Sequence, residues 1–99
     1  MTPNLFDEVK ARCGIAAGIT VYDGEIMGYL EDCKEDLRAS GVPEGTVQGR
    51  EHYPQLVTAA SLYVRAYLGN DRSDTEKYLD LYQKKVFRMR LEGGENDVE

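Results

Sequence analysis

Four runs of apolar residues at helical spacing, separated by glycine and proline, place the strongest constraint on this chain. The runs cover about residues 4–12, 23–39, 54–68 and 73–91. Apolar residues recur in them every three or four positions, which is the period of one helix face. No alternating strand pattern competes with them. The sequence therefore predicts an all-α protein, a small bundle of about four helices with long flexible loops and a disordered acidic C-terminal tail.

The first two predicted helices have clear start and stop signals. Asn4 is an N-cap residue, and Gly14 ends the short first helix. The second helix ends at Gly41, and Pro43 prevents its continuation. The connector at 14–22 is apolar and is expected to lie against the core. One apolar stripe on the second helix is predicted to be buried: Ile26, Leu30, Cys33 and Leu37.

The third predicted helix is apolar on most sides, so we expect it at the centre of the bundle. Pro54 suits its first turn and Gly69 its end. Ser61 and Arg65 are polar, and they predict a narrow exposed strip. The stripe expected to face the core comprises Leu56, Ala60, Tyr63 and Tyr67.

The fourth predicted helix opens with a capping box, in which Ser73 is the N-cap and Glu76 the third helical residue. It is expected to end at Leu91, before Gly93 and Gly94. The chain is therefore divided into one domain at 1–91 and a flexible acidic tail at 92–99. The inward stripe comprises Tyr78, Leu79, Tyr82, Val86 and Met89. Most of the seven tyrosines have the spacing of core residues, and a role at interfaces, where tyrosine is enriched, is the alternative.

The segment between the second and third helices, residues 41–52, is long for a bundle connection. Its glycines at 41, 45 and 49 resemble a phosphate-binding loop only superficially, because no Gly-Lys-Ser/Thr ending follows. A flexible loop is the preferred interpretation, and a short hairpin remains an alternative.

Charge and composition exclude several classes of protein. The net charge is −6, with 18 acids against 12 bases, so we do not expect a protein that binds nucleic acid over its whole surface. No secretory signal or membrane-spanning run is evident, because charged residues interrupt every apolar stretch. The chain is expected to assemble in the cytoplasm and not to associate with a membrane.

The inventory of reactive residues predicts no enzyme, no cofactor and no metal centre. His52 is the single histidine, and it does not form a zinc-binding or nucleophilic constellation with Cys13 and Cys33 at any usual spacing. The acids Glu31, Asp32 and Glu35 lie opposite the apolar stripe of the second helix. No Glu-x-x-His element accompanies them, so we interpret them as a face exposed to solvent or to a channel.

A surface on the fourth helix is predicted to bind a partner. Leu81, Phe87 and Leu91 lie off the inward stripe, and Lys84 and Arg88 flank them with positive charge. Large exposed apolar residues are typical of protein–protein contacts. The alternative interpretation of the basic residues is compensation of the helix dipole.

The order of these elements resembles the short head-tail connector proteins of tailed bacteriophages. The similarity covers about residues 5–91, and the segments that carry it are 5–10, 22–26, 30–37, 39–43, 53–57, 62–69 and 76–82. The resemblance implies a homo-oligomeric ring beneath the portal protein at the head-tail interface of the virion. It further implies a channel through which DNA passes without sequence-specific binding, a downstream neck or tail protein as partner, and no catalytic residues.

A second class of protein also fits the small, acidic and partner-dependent chain. A helical adaptor or regulatory protein, such as an antitoxin or a transcriptional cofactor, would have the same composition. Neighbouring portal, protease and capsid genes would favour the connector.

Overall fold

The structure is a computed structural model that describes residues 4–68 and 72–98. Its elements are α1 (Leu5–Arg12), α2 (Asp23–Ala39), α3 (Glu44–Val47), α4 (Tyr53–Leu68) and α5 (Arg72–Val98). No strand occurs in these two ranges. The all-α prediction is confirmed, with one short helix more than the four that the sequence indicated.

The boundaries of α1 and α2 follow the predicted caps. The side chain of Asn4 accepts a hydrogen bond of 2.8 Å from the backbone N–H of Asp7, which satisfies one free donor of the first turn. After α1, Gly14 has a φ of +79°, a left-handed conformation that glycine adopts without strain. Gly41 has a φ of +96° just after α2, as its capping role predicted.

The central position of α4 is confirmed. It packs against each of the other four helices, most extensively against α5. Leu56, Val57, Ala59, Ala60 and Val64 are all buried. α2 contributes Ile26, Leu30, Cys33 and Leu37 to the same core, and α5 contributes Tyr82, Val86 and Met89.

Two predictions about the surface of α4 are wrong. Ser61 is buried, because this turn of α4 is covered, although the next turn on the same side is not. Tyr67 is 44% exposed, and its ring stacks on Tyr29 at the edge of the bundle with the centroids 5.8 Å apart. Arg65 is exposed as predicted. The expected end at Gly69 lies outside the described residues.

The segment at 41–52 forms neither an open loop nor a hairpin. It contains the short helix α3, whose Thr46 and Val47 are buried. The guanidinium of Arg38 at the end of α2 donates to both carboxylate oxygens of Glu44, at 2.8 and 3.1 Å. This contact between α2 and α3 could not be inferred from the spacing of glycines.

The boundaries of α5 differ from the prediction at both ends. The helix begins at Arg72, so Ser73 lies inside its first turn and not at the N-cap. The side chain of Ser73 is outside the described residues. At the other end the helix continues through Gly93 and Gly94 to Val98. Each helical glycine costs only about 1 kcal/mol relative to alanine, which is too little to force an end. The flexibility of residues 92–99 stays a prediction.

Tyrosines contribute less to the core than predicted. Of the seven, all of which the structure describes, Tyr82 alone is buried. Tyr29, Tyr53 and Tyr63 are partly buried against the core, whereas Tyr22 and Tyr67 are exposed.

Candidate functional site: the exposed surface of α5

Packing against α2 and α4 determines which face of α5 remains exposed. Tyr82, Val86 and Met89 are buried against the core. Near the start of the helix, the hydroxyl of Thr75 donates to the carbonyl oxygen of Ala66 at 2.7 Å. α5 is thereby held to the end of α4, and its opposite face has no described neighbour.

A polar contact next to Tyr82 holds α5 to α2. The Tyr82 hydroxyl donates to Asp36 Oδ2 at 2.7 Å, and the Cys33 thiol donates to the Tyr82 oxygen at 3.8 Å. Burial is the main cause that raises the pKa of Tyr82, and the nearby Cys33 and Asp36 raise it further. The phenol therefore stays protonated and remains a donor.

The residues predicted to form a partner-binding surface on α5 are exposed, as expected. Leu81 is 41% exposed, and Phe87 and Leu91 are each 54% exposed. Lys84 and Arg88 are also exposed. We call these five residues the α5 surface. The structure brings them together on one helix, and their role in binding a partner stays a prediction.

The charges on the α5 surface are available to a partner. Lys84 forms an ion pair with Asp80 at 3.2 Å, but both side chains are largely in water, so this pair contributes little. The guanidinium of Arg90 lies 5.8 Å from the centroid of the Phe87 ring. The sequence from 84 to 91 contains four bases and no acid. This part of α5 is therefore both apolar and basic.

The acidic face of α2 points away from the core as predicted. Glu31, Asp32 and Glu35 are all exposed. Glu35 is partly neutralised, because Arg38 Nη1 donates to its Oε2 at 3.1 Å. No cluster of metal-ligating side chains occurs among the described residues.

A second exposed apolar surface was missed by the sequence reasoning. The connector at 14–22 does not lie against the core along its length, since Ile19 is 47%, Val21 75% and Tyr22 42% exposed. Met27, in the second turn of α2, is 51% exposed. We call these four residues the connector surface. The earlier expectation for the connector is correct only for Ile15, which packs partly on the core.

Lys10 explains why the connector turns outward. Its side chain is only 5% exposed, and Nζ donates to Asp23 Oδ1 at 2.9 Å and to the carbonyl oxygen of Ala17 at 3.1 Å. A buried ammonium requires such acceptors, so the chain wraps around it. Two successive turns then lead to α2. In the first the Ile19 N–H donates to the Ala16 carbonyl oxygen, and in the second the Asp23 N–H donates to the Thr20 carbonyl oxygen. A lysine on a short amphipathic helix gives no sequence signal for this role.

The described part of the chain has a packed helical core and two exposed apolar surfaces. Exposed apolar surfaces of this kind are typical of proteins that assemble with others. None of the described helices has the length and apolar character to cross a bilayer.

Comparison with protein families identifies the family to which the chain belongs. The family model described as phage connector protein matches residues 5–96. The chain therefore belongs to the phage connector family, which confirms the resemblance noted above. Comparisons with curated proteins and with solved structures gave no match.

Proposed function

We propose that this chain is a structural subunit of the phage head-tail connector, which forms a ring beneath the portal. The ring extends the DNA channel and docks the next neck or tail component. The observation that carries the proposal is the α5 surface, which is apolar, basic and left uncovered by the chain's own core. Membership of the connector family favours this function over the adaptor or regulatory protein.

The α5 surface is proposed to dock onto a neighbouring subunit or the portal. Phe87 and Leu91 offer apolar area whose burial favours association, by roughly 25 cal/mol per Å² before the costs of ordering are subtracted. Lys84 and Arg88 add attraction to an acidic partner and speed its encounter.

The double variant Phe87→Ser with Arg88→Glu tests this docking. Its helical content by circular dichroism should match that of the wild type, because both side chains are already exposed. Light scattering with and without the portal should show that it no longer assembles. Lys77→Glu is the control, because it reverses an exposed charge earlier on the same helix. If the double variant still forms rings and packaged particles normally, the α5 surface is not a docking site.

The acidic face of α2 is proposed to line the channel or to face solvent beside it. Negative charge at Glu31, Asp32 and Glu35 would repel phosphate and let DNA pass without being held. Replacing all three with lysine should retain DNA in the ring and slow its ejection. The triple variant Glu31→Gln, Asp32→Asn and Glu35→Gln, which removes the charges without reversing them, should change the ejection rate far less. Equal ejection rates for the two triple variants would place this face outside the channel.

A further inference from the structure

The exposed apolar residues of this chain fall into two separate groups. Among the described residues, every exposed large apolar side chain belongs to the connector surface or the α5 surface, apart from Tyr67. A folded monomer that leaves two apolar surfaces in water needs a partner for each of them.

The connector surface and the Phe87 end of the α5 surface lie towards opposite ends of α2. The connector surface is at the start of α2, and Phe87 borders a groove with Asp36 and Ser40 at the end of α2. α2 has 17 residues, and a rise of 1.5 Å per residue separates its ends by about 25 Å. One chain therefore cannot cover its own connector surface with its own Phe87.

The charges around the two surfaces are opposite. The stretch 14–32, which contains the whole connector surface, has four acids and no base. Of these acids, Asp23 is paired with Lys10, and Glu31 and Asp32 belong to the acidic face of α2. Glu25 is exposed in the first turn of α2 and lines one groove with Tyr22 and Arg65, so it supplies the negative charge at the connector surface. The stretch 84–91 has four bases and no acid. Both surfaces are thus apolar, and Glu25 at the connector surface attracts the bases at the α5 surface.

We infer that the α5 surface of one copy binds the connector surface of the next copy. The two surfaces are different, so the contact is head-to-tail and can be repeated from copy to copy. Head-to-tail contacts close into a ring when the rotation between copies allows it. This inference rests on the proposed function, and it specifies which two surfaces would join the subunits of the ring.

Lys10 acquires a role in assembly from this inference. By binding both the Ala17 carbonyl and Asp23, it holds the connector in the turned-out conformation that exposes Val21 and Tyr22. The connector surface is thereby ordered before association, which reduces the entropy lost on binding.

Two matched double variants test the pairing. Val21→Ser with Glu25→Lys alters the connector surface, and Phe87→Ser with Arg88→Glu alters the α5 surface. Each replaces one exposed apolar residue and reverses one exposed charge, so both chains should fold. Analytical ultracentrifugation should show that the wild type assembles and that each variant alone stays monomeric.

Mixing the two variants gives the decisive result. Each retains one intact surface, and the intact surfaces are of different kinds, so an equimolar mixture should form a 1:1 dimer and nothing larger. Native mass spectrometry distinguishes this heterodimer from homodimers. The inference fails if the mixture remains monomeric or if either variant assembles alone, whether as a homodimer or as a ring. It also fails if the wild type stays monomeric at millimolar concentration.

Failure of the inference differs from failure of the proposed function. If the connector-surface variant assembles as the wild type does, and phage particles still require the chain for head-tail joining, the proposed function stands and the subunits meet through other surfaces. If particles join heads to tails normally without the chain, the proposed function itself is wrong.

Discussion

The hydroxyl of Tyr82 on α5 donates a 2.7 Å hydrogen bond to Asp36 on α2. The two residues are 46 positions apart in the sequence, so the bond joins helices that are distant along the chain. The bond lies on the side of α5 that is buried with Val86 and Met89, opposite the exposed Phe87. The buried side of α5, to which this polar contact belongs, thus sets the orientation of the candidate docking surface.

Tyr82→Phe removes this bond while keeping the ring. Hydrogen bonds to charged groups contribute about 1.5–3 kcal/mol, and the exposure of Asp36 favours the lower end. We expect a loss of about 1–2 kcal/mol in the free energy of unfolding, measured by urea denaturation. Tyr78→Phe on the same helix is the control and should stay within about 0.5 kcal/mol. Equal losses in the two variants would show that the Asp36 contact does not stabilise the fold.

The thiol of Cys33 should be far less reactive than an ordinary cysteine. Burial raises the pKa of Cys33 to about 12 from an ordinary value of 9.0. Because the thiolate is the nucleophile, very little of the reactive form is present at pH 8. Iodoacetamide should therefore modify the partly exposed Cys13 first, as mass spectrometry of the peptides would show. In guanidinium chloride both should react alike. Faster labelling of Cys33 in the native protein would contradict its burial.

Glu44 should make the contact between α2 and α3 sensitive to acid. Hydrogen bonds from Arg38 and Gln48 lower the pKa of Glu44 to about 2 from 4.5. A lowered folded-state pKa stabilises the fold above the unfolded value of 4.5, and this contribution is lost as the pH falls towards 2. Glu44→Gln should thus lower the melting temperature at pH 6 and have a smaller effect near pH 2. A difference that does not change with pH would contradict the ion pair.

Lys10→Met should loosen the connector and destabilise the fold. The thioether fits an apolar site, but Asp23 and the Ala17 carbonyl lose the donor that satisfies them. We expect a loss of about 1–3 kcal/mol by denaturation and faster amide exchange over residues 15–22. Lys34→Met, on α2, is the control for loss of a positive charge. Unchanged exchange at 15–22 would show that Lys10 does not order the connector.

Two leucine truncations distinguish the core from the α5 surface. Leu56 is 1% exposed and Leu81 is 41% exposed. Leu56→Ala should cost about 2–5 kcal/mol of unfolding free energy, as core truncations do. Leu81→Ala should cost under about 1 kcal/mol in the monomer and weaken assembly instead. Equal denaturation midpoints for the two variants would refute the central position of α4.

Local signals determined the helices and most of the core. Asn4 and Gly41 set helix boundaries through backbone geometry that depends only on neighbouring residues. The stripe of Ile26, Leu30, Cys33 and Leu37 was predicted from period alone, because a helix can bury just one face against one neighbour. The exposure of Phe87 and Leu91 followed from the same period on α5.

The tertiary structure decided what depends on contacts between distant residues. The burial of Lys10 requires Asp23 and the Ala17 carbonyl beside it, and the burial of Ser61 requires packing by residues from outside α4. α3 begins at Glu44, which accepts a hydrogen bond from Arg38 of α2. A helix of four residues is too short to show a periodic pattern in the sequence. The exposure of the connector surface also depends on tertiary contacts. An apolar sequence indicates that residues prefer burial, but it does not indicate whether other parts of the same chain will cover them.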